Sequence, residues 1–149
     1  EDAYKFLKKK STTEHRFEEV EIINGTRFIN DSKSTNFHSV SSASERVNNA
    51  LLIMHGITKN IPTSELQLSN EIKKIIIPND MNLDHNLFHC EVQVIKSIFE
   101  LEDILKKDFQ RFETVLFSCG GSSFNDFENY IERGKFFKSI VKNLKGGQN

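Results

Sequence analysis

The sequence predicts an α/β domain built on an open, mostly parallel sheet with helices on both faces, preceded by a β-hairpin. Three observations carry this. Short apolar runs alternate with helical patterns along the 149 residues, the rhythm of strands joined by crossover helices. Asn24-Gly25 separates the first two runs, and this dipeptide accepts the positive φ angles of a tight hairpin turn. No repeat, low-complexity stretch or long linker divides the chain, so one core is expected.

The hairpin strands read as Phe17 to Ile23 and Thr26 to Asn30. From Ser34 a helix follows, because Phe37, Val40, Ala43 and Val47 fall three or four apart while Ser39, Ser41, Ser42 and Glu45 take the other face. Ala50 to Met54 is an unbroken apolar run and reads as a buried strand. Ile75 to Ile77, halted by Pro78, and the alternating Glu91 to Ile95 are two more. Ser97 and Glu100 have capping-box spacing ahead of a helix marked by Ile98, Leu101, Ile104, Leu105 and Phe109. Thr114 to Phe117 is a core strand. The last helix is predicted to start at Phe124, with Asp126 and Glu128 near its start and Lys138, Lys142 and Lys145 near its end, where the helix dipole favours them. Gly146-Gly147 ends it. The alternation after the hairpin is Rossmann-like. The first residue is not Met and enters mid-helix, so residues 1–13 read as the end of a preceding helix or linker, and a longer protein is expected around a domain of residues 14–149.

Composition excludes several classes. The 20 basic and 21 acidic residues leave a net charge of -1, with no bulk attraction for nucleic acid. No apolar run reaches the roughly 18–20 residues of a membrane span, nor does the start resemble a signal peptide, so a cytoplasmic protein is expected. Cys90 and Cys119 read as two buried, reduced thiols. His85 and His89, four apart beside Asp84 and Cys90, have a spacing that metals use, but they read as polar surface residues near a helix end, and no metal site is assigned. Neither a Gly-x-x-x-x-Gly-Lys-Ser/Thr phosphate loop nor a Gly-x-Gly-x-x-Gly fingerprint occurs, which excludes a self-sufficient ATPase.

Ligands of open α/β sheets gather beyond the carboxyl ends of the strands. Three segments there carry chemistry: Asp31-Ser32-Lys33-Ser34-Thr35-Asn36, then His55-Gly56-Ile57-Thr58-Lys59, then Ser118-Cys119-Gly120-Gly121-Ser122-Ser123. Two lysines, a row of hydroxyls and a small-residue loop rich in N–H groups suit an anionic small molecule, an amino-acid carboxylate or a phosphate. Each piece also has a plain structural use, as helix caps at Ser34 and Ser123, a solvated charge at Lys59 and a turn at Gly120-Gly121.

The stretch His15-Arg16-Phe17-Glu18 through Asn24-Gly25, followed by Phe28-Ile29-Asn30-Asp31-Ser32-Lys33-Ser34-Thr35-Asn36, resembles the opening of the C-terminal domain of the Mur ligase family. The Asp-Ser-Lys-x-Thr-Asn run is most like the branch that adds D-glutamate to UDP-N-acetylmuramoyl-L-alanine. Val115 to Ser123 and Phe127-Glu128-Asn129-Tyr130-Ile131-Glu132-Arg133-Gly134 resemble the family's last loop and helix, whereas residues 60–112 match only in pattern. The chain departs from the family at Met54 to Thr58, at His38 and at Cys119 to Ser122.

The resemblance implies one domain of a monomeric, cytoplasmic, three-domain enzyme of peptidoglycan synthesis. In it the N-terminal domain holds the UDP-sugar, and the central domain holds ATP and magnesium. The substrate carboxylate is phosphorylated and the amine of D-glutamate attacks the acyl phosphate. Carried over by position, Lys33, Thr35, Lys59, Ser123 and Tyr130 are expected at D-glutamate. Arg16, Asp31, His15 and Asn36 are expected to face the nucleotide. No residue of this domain alone is expected to be catalytic, and an isolated fragment is expected to be inactive. The alternatives are another Mur or folylpolyglutamate-type ligase, and a non-enzymatic α/β module that binds a nucleotide or a partner.

Overall fold

The computed structural model describes residues 14–147, so the expected helix end or linker over 1–13 lies outside them. Six strands form one sheet in the order β1-β2-β6-β3-β4-β5. They are β1 Glu18–Ile23, β2 Thr26–Asp31, β3 Ala50–His55, β4 Ile72–Pro78, β5 Glu91–Ile95 and β6 Thr114–Gly120. Only β1 and β2 are antiparallel; the other four pairings are parallel. Asn24 and Gly25 turn the hairpin with φ of 50° and 87°, the left-handed values a two-residue turn demands of both central positions.

Helix α1, Phe37–Ser44, lies on one face; α2, Leu101–Asp108, and α3, Tyr130–Gly146, lie on the other. Strand periodicity divides the core accordingly. Ile29, Leu52, Ile75, Ile77 and Leu116 pack with Phe37, Val40 and Ala43. Their sheet neighbours Phe28, Leu51, Ile53, Ile76, Val115 and Phe117 point the opposite way, onto Leu101, Leu105, Phe137 and Ile140. The Phe117 and Phe137 rings stack with centroids 4.6 Å apart, and each such buried ring contributes roughly 1.5–3 kcal/mol through burial.

Several boundaries move from their sequence positions, each for a local reason. The first helix starts at Phe37 because the Asn36 side chain accepts the Ser39 N–H and caps it there; Val47 is buried beyond its end. Strand β4 reaches back to Ile72, its start hidden by Lys73 and by Lys74, which is buried and 2.8 Å from the Asp108 carboxylate. Pro78 is its last residue. Both capping-box bonds of Ser97 and Glu100 form, opening a 3-10 turn that leads into α2. The last helix starts at Tyr130, six residues after Phe124, because the Ser123 carbonyl accepts the N–H groups of Asp126 and Phe127 in a tight turn. Asn129 then caps the helix by accepting the Glu132 N–H. Cys119 is buried but Cys90 is only half-buried. No described helix is long and apolar enough to cross a membrane.

Candidate functional site

Parallel neighbours β2, β6 and β3 end side by side, with Asp31 opposite Ser118 and His55 opposite Gly120. All three chemistry-bearing segments therefore leave one edge of the sheet, at the crevice between α1 and α3. They are held there by a residue that the sequence did not single out. Arg133, fully buried on α3, donates from Nη2 to the Ser32 carbonyl at 2.8 Å and from Nη1 to the carbonyls of Gly121 at 2.8 Å and His55 at 3.2 Å. Its Nε donates to Ser32 Oγ at 3.0 Å, and that hydroxyl donates to the Tyr130 carbonyl at 2.7 Å. No carboxylate pairs with Arg133 among the described residues; carbonyl oxygens from three loops meet its charge instead. The available signal was positional: Arg133 sits four residues before the buried Phe137, a charged residue in register with the apolar stripe.

Nη1 also donates to His55 Nδ1 at 3.2 Å, which fixes the tautomer: Nε2 carries the proton and donates to Asp126 Oδ2 at 2.7 Å. Burial, with the neighbouring Arg133 charge, lowers the His55 pKa against the opposing pull of Asp126. Asp126, expected at a helix start, is thus a latch from the 121–129 loop to the end of β3. His15 is buried too and its pKa is lowered by burial first. Asn30 Nδ2 donates to its Nδ1 at 2.9 Å, and its Nε2 has no partner.

Histidines held neutral carry a pH dependence. Protonation favours the unfolded chain, so their contribution to stability is complete above 6.5 and is lost as pH falls below that value toward their lowered folded pKa. The urea midpoint is expected to drop between about pH 7 and about pH 5, less so in His55→Asn. Asp31 acts in the opposite sense. Its burial raises its pKa above 3.8, partly countered by Ser118 Oγ and the Phe17 N–H, which donate to it at 2.8 and 2.9 Å. That contribution is present below 3.8 and lost as pH rises through the raised value, so the His55→Asn comparison isolates the histidine.

The second and third loops cross at Gly56 and Gly121. A Cβ on Gly56, whose φ is +122°, would overlap the Ser122 carbonyl, and one on Gly121 would stand 2.7 Å from the Gly56 carbonyl carbon. Ile57 and Ser122 exchange both backbone hydrogen bonds at 2.9 Å. The crossing sets a cavity of about 720 Å³ between them, whose lining includes Thr35, Asn36, Lys59, Ser123 and Tyr130, with Ile57, Ile61 and Phe124 exposed at its edge. Four of the five residues assigned to the amino acid thus line one cavity. Lys33 instead lines an adjoining cavity of about 310 Å³ with Arg16 and Asp31, and its Nζ lies 5.8 Å from the Tyr130 ring centre. Asn36 falls in the larger cavity, apart from Arg16 and Asp31, and His15 lies behind both, packed on Gly134 and Asn30. Two N–H groups of the 118–123 loop are used inside the fold. The Gly120 N–H donates to the Ser34 carbonyl and the Ser122 N–H to the Ile57 carbonyl, while the helix starts farther on, at Tyr130. Among the described residues no three His, Cys, Asp or Glu side chains form a group able to hold a metal ion.

No protein-family model matches the chain. It is 35% identical over 96% of its length to the UDP-N-acetylmuramoylalanine–D-glutamate ligase of Thermosipho africanus, and covers 35% of that protein. The corresponding ligase of Thermosipho melanesiensis is 35% identical over 97% of the chain and covered to 35%, and that of Alkaliphilus oremlandii 33% over 93%, covered to 32%. The chain spans about a third of the length of these relatives.

Proposed function

The chain is a relative of the D-glutamate-adding Mur ligases, matching about a third of their length, and from that premise we propose that it is their C-terminal, amino-acid-binding domain. In this reading it works in the cytoplasm, within an ATP-dependent ligase that joins D-glutamate to UDP-N-acetylmuramoyl-L-alanine in peptidoglycan synthesis. ATP and magnesium are held mainly by the central domain. The observation that supports it most is the shared lining: Thr35, Lys59, Ser123 and Tyr130, chosen by position in sequence, surround one cavity at the carboxyl ends of β2, β3 and β6.

D-Glutamate brings two carboxylates, and an ammonium at each of two points is the matching donor set. Lys59 supplies one from the loop braced at Gly56. Lys33 supplies the other from the adjoining cavity, its Nζ 5.8 Å from the centre of the Tyr130 ring. Ser123 and Thr35 add hydroxyls. Arg16 and Asp31, beside Lys33, face the nucleotide in this reading, with His15 and Asn36 flanking them. None of these groups makes or breaks a bond. Their share is to hold the attacking amine in line and to compensate charge, a service in which about 1 Å of misplacement costs on the order of 100-fold in rate.

Lys59→Ala in the intact ligase is expected to raise the KM for D-glutamate about tenfold or more, the weight of one charge-assisted contact, with kcat little changed. Mass-spectrometric detection of the product from a panel of amino acids tests the reading itself. D-Glutamate should be the amino acid incorporated, and an unchanged KM in the variant would remove Lys59 from the site.

A further inference from the structure

The smaller cavity holds a cation that neither sequence position nor the proposed function accounts for. Arg46 leaves the turn after α1, its N–H bound to the Ala43 carbonyl at 3.0 Å, and its guanidinium carbon stands 3.7 Å above the centre of the Phe17 ring. Such stacking fixes the plane of the fork and leaves its N–H edges free. Phe17 pays for the arrangement with a φ of +44°, a left-handed value that a non-glycine residue rarely holds, and its N–H is tied to Asp31 Oδ1.

Arg46 lines this cavity together with Arg16 and Lys33. Among the described residues none of the three has an acidic partner within salt-bridge distance. Asp31 is the one carboxylate in the lining, and its two oxygens already accept from Ser118 and Phe17. Three permanent cations thus face about 310 Å³ in a chain whose net charge is -1. Like charges so concentrated repel until an anion neutralises them. His38, Ser39 and Ser42 complete the polar wall. Ser34, also in the lining and only 4% exposed, has a hydroxyl oxygen with no hydrogen-bond partner.

We infer that Arg46, laid flat on Phe17, is a phosphate-binding residue, the third cation of a cavity that it shares with Arg16 and Lys33. Three cations on separate elements match the several oxygens of a phosphoryl group better than the two of a carboxylate. His38 lines both cavities, so the bound phosphate stands next to the amino-acid cavity. The source of the phosphate rests on the ligase reading; the binding role of Arg46 does not.

Binding of inorganic tripolyphosphate to the intact protein, followed by calorimetry at matched ionic strength, tests this. Arg46→Ala is expected to weaken it about tenfold, and Lys142→Ala, which removes an exposed cation from the distant end of α3, to change it less than about twofold. Unchanged binding in Arg46→Ala, or equal weakening by both variants, would overturn the inference. Turnover then separates the sources. A higher KM for ATP alone assigns the phosphate to the nucleotide, and a higher KM for the UDP-linked precursor alone assigns it to that diphosphate. A rise confined to D-glutamate would make Arg46 a carboxylate contact and refute its role here. Failure of the ligase reading would appear separately, as no amide product with D-glutamate from the unaltered protein.

Discussion

Arg133→Ala is expected to destabilise the domain by roughly 3–5 kcal/mol, the range for large-to-alanine changes in a core combined with lost charged hydrogen bonds. Removal of the guanidinium strands the carbonyls of Ser32 and Gly121 and the Nδ1 of His55, all buried, without their donor. It also leaves a cavity where three loops meet. For a chain of this length such a loss lowers the melting temperature by roughly 10 °C, and thermal unfolding of the variant measures it. Arg133→Lys should recover little, because one ammonium cannot donate along three directions to Ser32, His55 and Gly121. A near-normal melting temperature for Arg133→Ala would mean that the loops are held by Gly56–Gly121 crossing alone.

Lys33→Ala is expected to leave the melting temperature within a degree or so and to cut D-glutamate addition by about 100-fold or more. The side chain is exposed and no salt bridge forms on it among the described residues, so the fold loses nothing. Its backbone is what the fold uses, through the N–H bond to the His15 carbonyl at 2.9 Å, and alanine keeps that bond. Function loses a charge that lines the smaller cavity with Arg16 and stands 5.8 Å from the centre of the Tyr130 ring. Steady-state turnover with D-glutamate, UDP-linked precursor and ATP reads this; wild-type rates would exclude Lys33 from the site.

The hairpin, the strand-to-helix alternation and the capping box were legible because each is a local signal, and a local signal survives in any tertiary context. Long-range pairing was not. Nothing near Lys74 announces that Asp108 will neutralise it and draw it into β4. Asp126 looks like a residue that starts a helix, until His55, seventy-one positions away, takes its carboxylate. The candidate site divides the same way. Thr35, Lys59 and Ser123 could be nominated from the rule that ligands collect past strand ends, and they line one cavity. The same rule and the family resemblance nominate Lys33, and the turn at Ser34, whose N–H bonds back to the Asp31 carbonyl, sets it in the neighbouring cavity. Arg133 and Arg46 carry no such local signal, since the first passes for a surface charge on a helix and the second for an ordinary residue in a turn.

Among the described strands β6 comes last in sequence, yet it lies third in the sheet, wedged between β2 and β3. Until residues 114–120 leave the ribosome, no strand pairing joins the hairpin to the β3–β4–β5 unit, and each presents a bare, apolar border open to pairing with other chains. Assembly must therefore be completed late and through contacts distant in sequence, a topology associated with slow folding. A nascent chain halted before Thr114 should need chaperone protection, and a shortened version ending there lacks the wall of the larger cavity that Ser123 and Tyr130 supply.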